Sequence, residues 1–208
     1  MADLTRRAFV QGIGSLGLAA ATEPAVAGAA THDSRIGPFF REAKPQWPAG
    51  LEAEKNLFAG FRAVFQCEPG CRPVLRIAAS TVYRCFVNGT HLGYGPARAG
   101  HGHYRVDEWD AGGFTRPGEN VLAIEVAGYN VNSYYLVDQL SFLQAELTCG
   151  DDVLAATGSA KNPFEAIILT ERVKKVQRYS FQRPFSEIYR PEPGYDQGRL
   201  ILRSIYRA

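Results

Sequence analysis

Apolar residues in this chain alternate with polar ones in short runs, and beyond residue 31 no stretch keeps a helical period through ten residues. That pattern disfavours amphipathic helices as the building blocks and points to strands. In "TVYRCFVNG" the residues Val82, Arg84 and Phe86 oppose Tyr83, Cys85 and Val87, so both faces carry apolar groups, as in a strand with neighbours on either side. "GENVLAIEVAG" places Leu122, Ile124 and Val126 on one face and Glu125 on the other. "LSFLQAEL" turns Leu143, Ala145 and Leu147 inward and Gln144 and Glu146 outward. "HYRVDEW" alternates again, and "GDDVLAATG" reads as an edge strand. Asn88-Gly89 is a strong two-residue hairpin signal. "FRAVFQC" and "VLRIAAS" flank the turn "EPGCRP". Strands spaced by roughly 8–12 residues with turn signals between them predict an all-β sandwich. "NPFEAIILTERVKKV" is the best helical candidate, and it is ambiguous. The basic, aromatic "RVKKVQRYSFQRPFSEIYR" reads as extended.

With 208 residues the chain can bury a normal core without metal or disulfide staples. Its formal charge of +2 gives no electrostatic case for nucleic acid or an anionic membrane. The N-terminus has the layout of a secretory signal: Arg6 and Arg7, a Gly/Ala-rich mildly apolar run, Pro24, then a small-x-small pattern over Ala25-Val26-Ala27. "TRRAFV", with Phe9 after the arginine pair, resembles the motif read by the twin-arginine translocation machinery, which exports folded proteins. The expectation is cleavage after Ala27, with Ala30 as second choice, and a periplasmic or extracellular product. Gln11 and the small residues interrupt the apolar run too often for a stable transmembrane span. The expected organisation is a signal over 1–27, a polar, Pro-rich lead-in over 28–57, a sandwich over 58–190, and a C-terminal segment or the start of a next domain over 191–208.

Four cysteines are present. "CEPGC" sets Cys67 and Cys71 around a Pro-Gly turn, where they could bridge a tight hairpin in an oxidising compartment. Cys85 alternates with core positions and reads as a small buried apolar residue. The spacing of the four is no zinc pattern.

The order of motifs resembles a known family. Val87-Asn88-Gly89, the aromatic strand Tyr104 to Asp110, and Gly118 to Val126 follow one another as in the N-terminal jelly-roll, galactose-binding-like region of bacterial alpha-L-rhamnosidases. "VQRYSFQRPFSEIYR" is similar to the segment that leaves that sandwich for the next domain. The resemblance implies a non-catalytic accessory sandwich of an exported glycoside hydrolase. The family's acid and base carboxylates sit in a large α/α barrel downstream, and no position here matches them. Two other readings stay open: a free-standing periplasmic carbohydrate-binding module, and an interaction domain with no ligand.

Among the tempting residues, His101 and His103 would share a face of an extended strand, yet no third metal ligand is evident. Asp107, Glu108 and Asp110 suit turn capping, with a structural calcium as the alternative and no cofactor otherwise expected. "GYGPARAG" lacks the Lys-Ser/Thr ending of a phosphate loop. The glycines of the opening loop region, Gly89, Gly93, Gly95, Gly100 and Gly102, are expected to serve turns with unusual backbone angles. What remains is a rim of polar and aromatic residues, Tyr94, Arg98, His101 and Tyr104, placed near Asn130, Tyr134 and Tyr135 of "GYNVNSYYLVDQ". A sugar there would stack on an aromatic ring while Arg98 or Asn130 bonds its hydroxyls.

Overall fold

The computed structural model describes residues 39–190 together with 193–194. The expected signal, with Arg6, Arg7, Phe9 and the cleavage after Ala27, lies outside the described residues, as does most of the expected segment over 191–208.

Among the described residues, nine strands and no helix build the fold: β1 (Leu57–Cys67), β2 (Val74–Ser80), β3 (Val82–Val87), β4 (Thr90–Gly95), β5 (Asp107–Asp110), β6 (Gly118–Gly128), β7 (Phe142–Cys149), β8 (Asp152–Ala156) and β9 (Glu165–Ile168). They form two sheets, one of five strands in the order β4-β3-β6-β1-β9 and one of four in the order β5-β2-β7-β8. Every pairing is antiparallel. The result is an all-β, jelly-roll-like sandwich. "NPFEAIILTERVKKV" is not helical: Glu165–Ile168 pair with Ala59–Arg62 of β1, so sheet pairing overrides its ambiguous local preference.

The alternation read from the sequence sets the core. Leu122, Ile124 and Val126 of β6 are inaccessible and join Phe61, Leu75, Ile77, Leu143 and Leu147 in one cluster between the sheets. Asn88 and Gly89 take positive φ values of 50° and 81°, the geometry of the tight β3–β4 hairpin, which brings Val87 opposite Thr90.

The outer face of the five-stranded sheet is partly covered too. Phe86 packs on Ala123, while Phe58, Tyr129, Val131, Leu136 and Leu169 cluster around Ala127. The basic aromatic segment folds back here as an irregular hairpin, with bridges between Arg172 and Tyr189 and between Arg178 and Phe185. The buried Arg172 guanidinium lies 3.6 Å from the Phe58 ring centroid and donates to Asn56 Oδ1 at 3.1 Å.

The lead-in segment docks on the other sheet. Gln46 bridges Leu143, and the Trp47 ring tilts against Phe61 with centroids 5.8 Å apart. Glu146 points away from the core, as alternation requires, but is fully buried because this segment covers it. Its carboxylate accepts the backbone N–H groups of Arg41, Glu42 and Ala43 at 2.9, 2.6 and 3.0 Å.

The expected Cys67–Cys71 bridge is corrected. Cys71 pairs with Cys149, with Cα atoms 6.0 Å apart, and Cys67 is a buried free thiol. The reason is topological: β1 and β2 belong to different sheets, so "EPGC" is a crossover rather than a hairpin. Cys67 ends β1 facing the core, whereas β2 pairs with β7, setting Val74 opposite Thr148 and bringing Cys71 to Cys149. A link across 78 residues restricts the unfolded chain by about 4–5 kcal/mol on the loop-entropy account. Cys85 is buried as expected, and desolvation pushes its thiol up to about 12. Peptide mapping of the oxidised native protein after iodoacetamide at pH 8.5 is expected to yield a Cys71–Cys149 linked peptide and an unmodified Cys85. A Cys67–Cys71 peptide would place the crossover wrongly.

Candidate functional site

Three connections meet at one end of the sandwich and enclose a cavity of about 270 Å³. The β2–β3 junction contributes Ala79, Thr81 and Val82, the β4–β5 loop contributes Pro96 to Ala99 and His103 to Arg105, and the β6–β7 loop contributes Tyr135 to Val137 and Gln139. The loops are stitched together across the opening. Arg98 Nη1 donates to the Tyr134 carbonyl at 2.8 Å, and the Gly102 N–H donates to Gln139 Oε1 at 3.4 Å. Tyr104 meets Phe142 edge-on, centroids 4.6 Å apart, and keeps part of its ring accessible.

A hydrogen-bonded chain beside this cavity joins the two sheets. Trp109 Nε1 donates to Tyr83 Oη at 2.8 Å, Tyr83 Oη donates to Asp107 Oδ2 at 2.7 Å, and Arg105 Nε donates to Asp107 Oδ1 at 3.0 Å. Burial, reinforced by the bond to Asp107, pushes the Tyr83 hydroxyl well above the usual phenol range, so it stays a donor. Two glycines make room for this arrangement. A Cβ on Gly93 would sit 2.7 Å from the Trp109 ring, and one on Gly95 would strike Asp107 and Tyr83. Gly89 and Gly102 do hold positive φ, but Gly93 and Gly95 are required for close approach instead.

Of the residues expected at a rim, Arg98, Tyr104 and Tyr135 line the cavity. His103 lines it in place of His101, whose carbonyl lies 3.1 Å from His103 Nδ1. Tyr134 contributes its carbonyl to Arg98 while its ring projects outward, 70% exposed. Asn130 is buried, and its amide is used within the protein: Nδ2 donates to the Glu52 and Glu54 carbonyls, both at 2.9 Å, and Oδ1 accepts from Ser141 Oγ at 3.1 Å. That placement suits it to fixing the β6–β7 loop, not to bonding a ligand.

Tyr94 belongs to a second, smaller depression of about 160 Å³ on the outer face of the five-stranded sheet. Its lining includes Phe58, Val82, Arg84, Glu125, Tyr129 and Glu187. Tyr94, Arg84 and Glu125 are directly opposite one another on β4, β3 and β6. Arg84 Nε bonds Glu125 Oε2 at 2.6 Å, so a nearly inaccessible carboxylate fixes a half-exposed guanidinium. Alternation put Arg84 with Val82 and Phe86 in one strand and Glu125 opposite Leu122, Ile124 and Val126 in another, but the pairing of β3 with β6 was needed to bring them together.

The three acids considered for calcium do not converge. Asp107 serves Tyr83 and Arg105, Glu108 pairs with Arg76 at 2.9 Å, and Asp110 pairs with Arg72 at 2.7 Å. The Arg72 bond, helped by the Gly112 N–H, holds the Asp110 carboxyl below the usual range. Among the described residues no group of three or more His, Cys, Asp or Glu could hold a metal ion. No helix among them is long and apolar enough to cross a membrane.

No protein-family model matches the sequence, and no curated protein matches it. Solved structures do resemble the fold, and those of one class recur: alpha-L-rhamnosidases. The crystal structure of the glycoside hydrolase family 78 rhamnosidase of Bacillus sp. GL1 is 29% identical, covers 72% of this chain and superposes with a TM-score of 0.66. The match occupies 16% of the Bacillus chain, so this chain is similar to one part of that enzyme. The native rhamnosidase of Aspergillus terreus is 15% identical, with 70% of this chain and 17% of that chain covered and a TM-score of 0.49. The Streptomyces avermitilis rhamnosidase complexed with L-rhamnose is 15% identical, with 67% and 13% covered and a TM-score of 0.37.

Proposed function

We propose that this chain is a non-catalytic accessory sandwich of an exported alpha-L-rhamnosidase-like glycoside hydrolase, working beside a catalytic barrel. The observation that carries the reading is the likeness to the Bacillus rhamnosidase, strong over most of this chain yet confined to 16% of that one. The chemistry around the cavity agrees with it. Asp107, bonded to the lining residue Arg105, is also tied to Tyr83 rather than paired with a second acid across a water-sized gap.

The cavity supports a binding role within that reading. Arg98 offers guanidinium donors beyond the one given to Tyr134, and Tyr104 and Tyr135 offer ring faces. These are the groups that read a sugar's hydroxyls and its apolar ring face. A few contacts of about 1 kcal/mol each give a monosaccharide affinity on the order of millimolar.

Purified chain is expected to release no aryl aglycone from an aryl rhamnoside above a heat-treated control. Turnover that survives repurification would overturn the accessory reading. Sequencing the DNA around the coding region for an α/α barrel frame tests the partnership directly.

A further inference from the structure

We propose that the binding site is bipartite, one sugar of a neutral oligosaccharide occupying the loop-end cavity and the next lying on Tyr94 beside the Arg84–Glu125 pair. The proposal rests on the carbohydrate reading above and extends it to the length and course of the ligand.

Continuity is the first support. Val82 lines both depressions, and the backbone from Tyr94 to Arg98 passes from one to the other within four residues. A ligand leaving the cavity over Val82 therefore meets the depression on the outer face of the five-stranded sheet.

The chemistry of the second depression is the next support. Tyr94 is 75% exposed on an edge strand. Its cross-strand neighbour Arg84 is held through Nε by Glu125, which leaves the Nη groups without a bond to any described residue. An apolar ring and a positioned fork of donors in one cross-strand row match the two surfaces of a pyranose.

Charge then selects the ligand class. In the outer-face depression Arg84 pairs with Glu125, and Arg172 pairs with Glu187 at 3.5 Å, so cationic and anionic groups lie side by side there. That depression suits a neutral polyhydroxylated ligand better than a phosphate or a polyamine.

The test follows backbone amide shifts of the full chain during titration with L-rhamnose, a rhamnose-terminated disaccharide and a rhamnose-terminated tetrasaccharide. The disaccharide is expected to bind about tenfold more tightly than L-rhamnose, with shifts spreading from residues 97–104 to Arg84 and Tyr94. Tyr94→Ala, whose exposed site makes misfolding easy to exclude from the amide spectrum, is expected to abolish that tenfold gain, and Tyr94→Phe to keep most of it. Tyr135→Ala is expected to weaken every sugar. An equal affinity for L-rhamnose and the longer sugars, or a gain that survives Tyr94→Ala, overturns the second subsite while the carbohydrate reading stands. Absence of shifts with all three sugars at high millimolar concentration overturns both.

Discussion

Glu146→Ala is expected to lower the unfolding free energy by roughly 3 kcal/mol, although residue 146 sits on the face that alternation assigns to solvent. Its carboxylate is the shared acceptor for three successive backbone N–H groups, those of Arg41, Glu42 and Ala43. Concave runs of N–H groups of this kind hold anions well. Removing the acceptor strands the Ala43 donor, which is buried, while the Arg41 and Glu42 amides lie nearer water and recover part of the loss. Glu146→Gln keeps one acceptor oxygen and should fall between alanine and wild type. Urea unfolding gives the magnitude, and hydrogen exchange at residues 41–43 gives the location. A loss under about 0.5 kcal/mol, the level of an ordinary surface substitution, would show that the lead-in segment is not held there.

Ile124→Ala is expected to cost roughly 2–5 kcal/mol, the range for deleting a large buried side chain from a core that cannot collapse around the gap. Ile124 is inaccessible and sits among Phe61, Leu75 and Leu143 between the sheets. Its neighbour Glu125 faces the other way, yet it is also nearly inaccessible and paired with Arg84. Breaking a fully buried pair is severe because a bare charge is left behind. Here the partner left behind is half-exposed and stays hydrated, so Glu125→Gln is expected to cost about 1 kcal/mol. Comparable losses for the two substitutions in urea unfolding would mean that β6 is displaced by one residue, since such a slip exchanges its faces.

The faces of β6 and β7 were legible because a strand's period is two and their inward residues are uniformly apolar, whereas β3 carries apolar groups on both faces and its inward one was not. The Asn88-Gly89 turn was legible because few residue pairs accept two successive positive φ values. The "EPGC" turn misled for a related reason. Turn chemistry reverses the chain but does not say whether the flanking strands pair or separate into two sheets. Burial of Glu146 was hidden because alternation assigns a face without naming what covers it. Gly93 and Gly95 announced a constraint, but only the nearness of Trp109, Asp107 and Tyr83 shows that it is space rather than backbone angle. The same limit divided the expected rim. Arg98, Tyr104 and Tyr135 converge because three loops meet at one end, Asn130 is absorbed by the lead-in segment, and strand pairing carries Tyr94 to another face.

The two tryptophans stand at two different joints of the molecule. Trp47 rides on the lead-in segment, its indole N–H on the Leu51 carbonyl at 3.2 Å and its ring against Phe61. Trp109 closes the hydrogen-bonded chain to Tyr83 that ties the sheets together beside the cavity. The chain thus carries two tryptophan fluorophores with separate subjects, to be excited at the red edge where its ten tyrosines do not absorb. With Trp109 replaced by phenylalanine, emission reports the lead-in segment coming off its sheet. With Trp47 replaced, it reports the sheets parting at the ligand end. Whether this sandwich opens as one body or peels from its N-terminal side can be watched by light alone, without an added label.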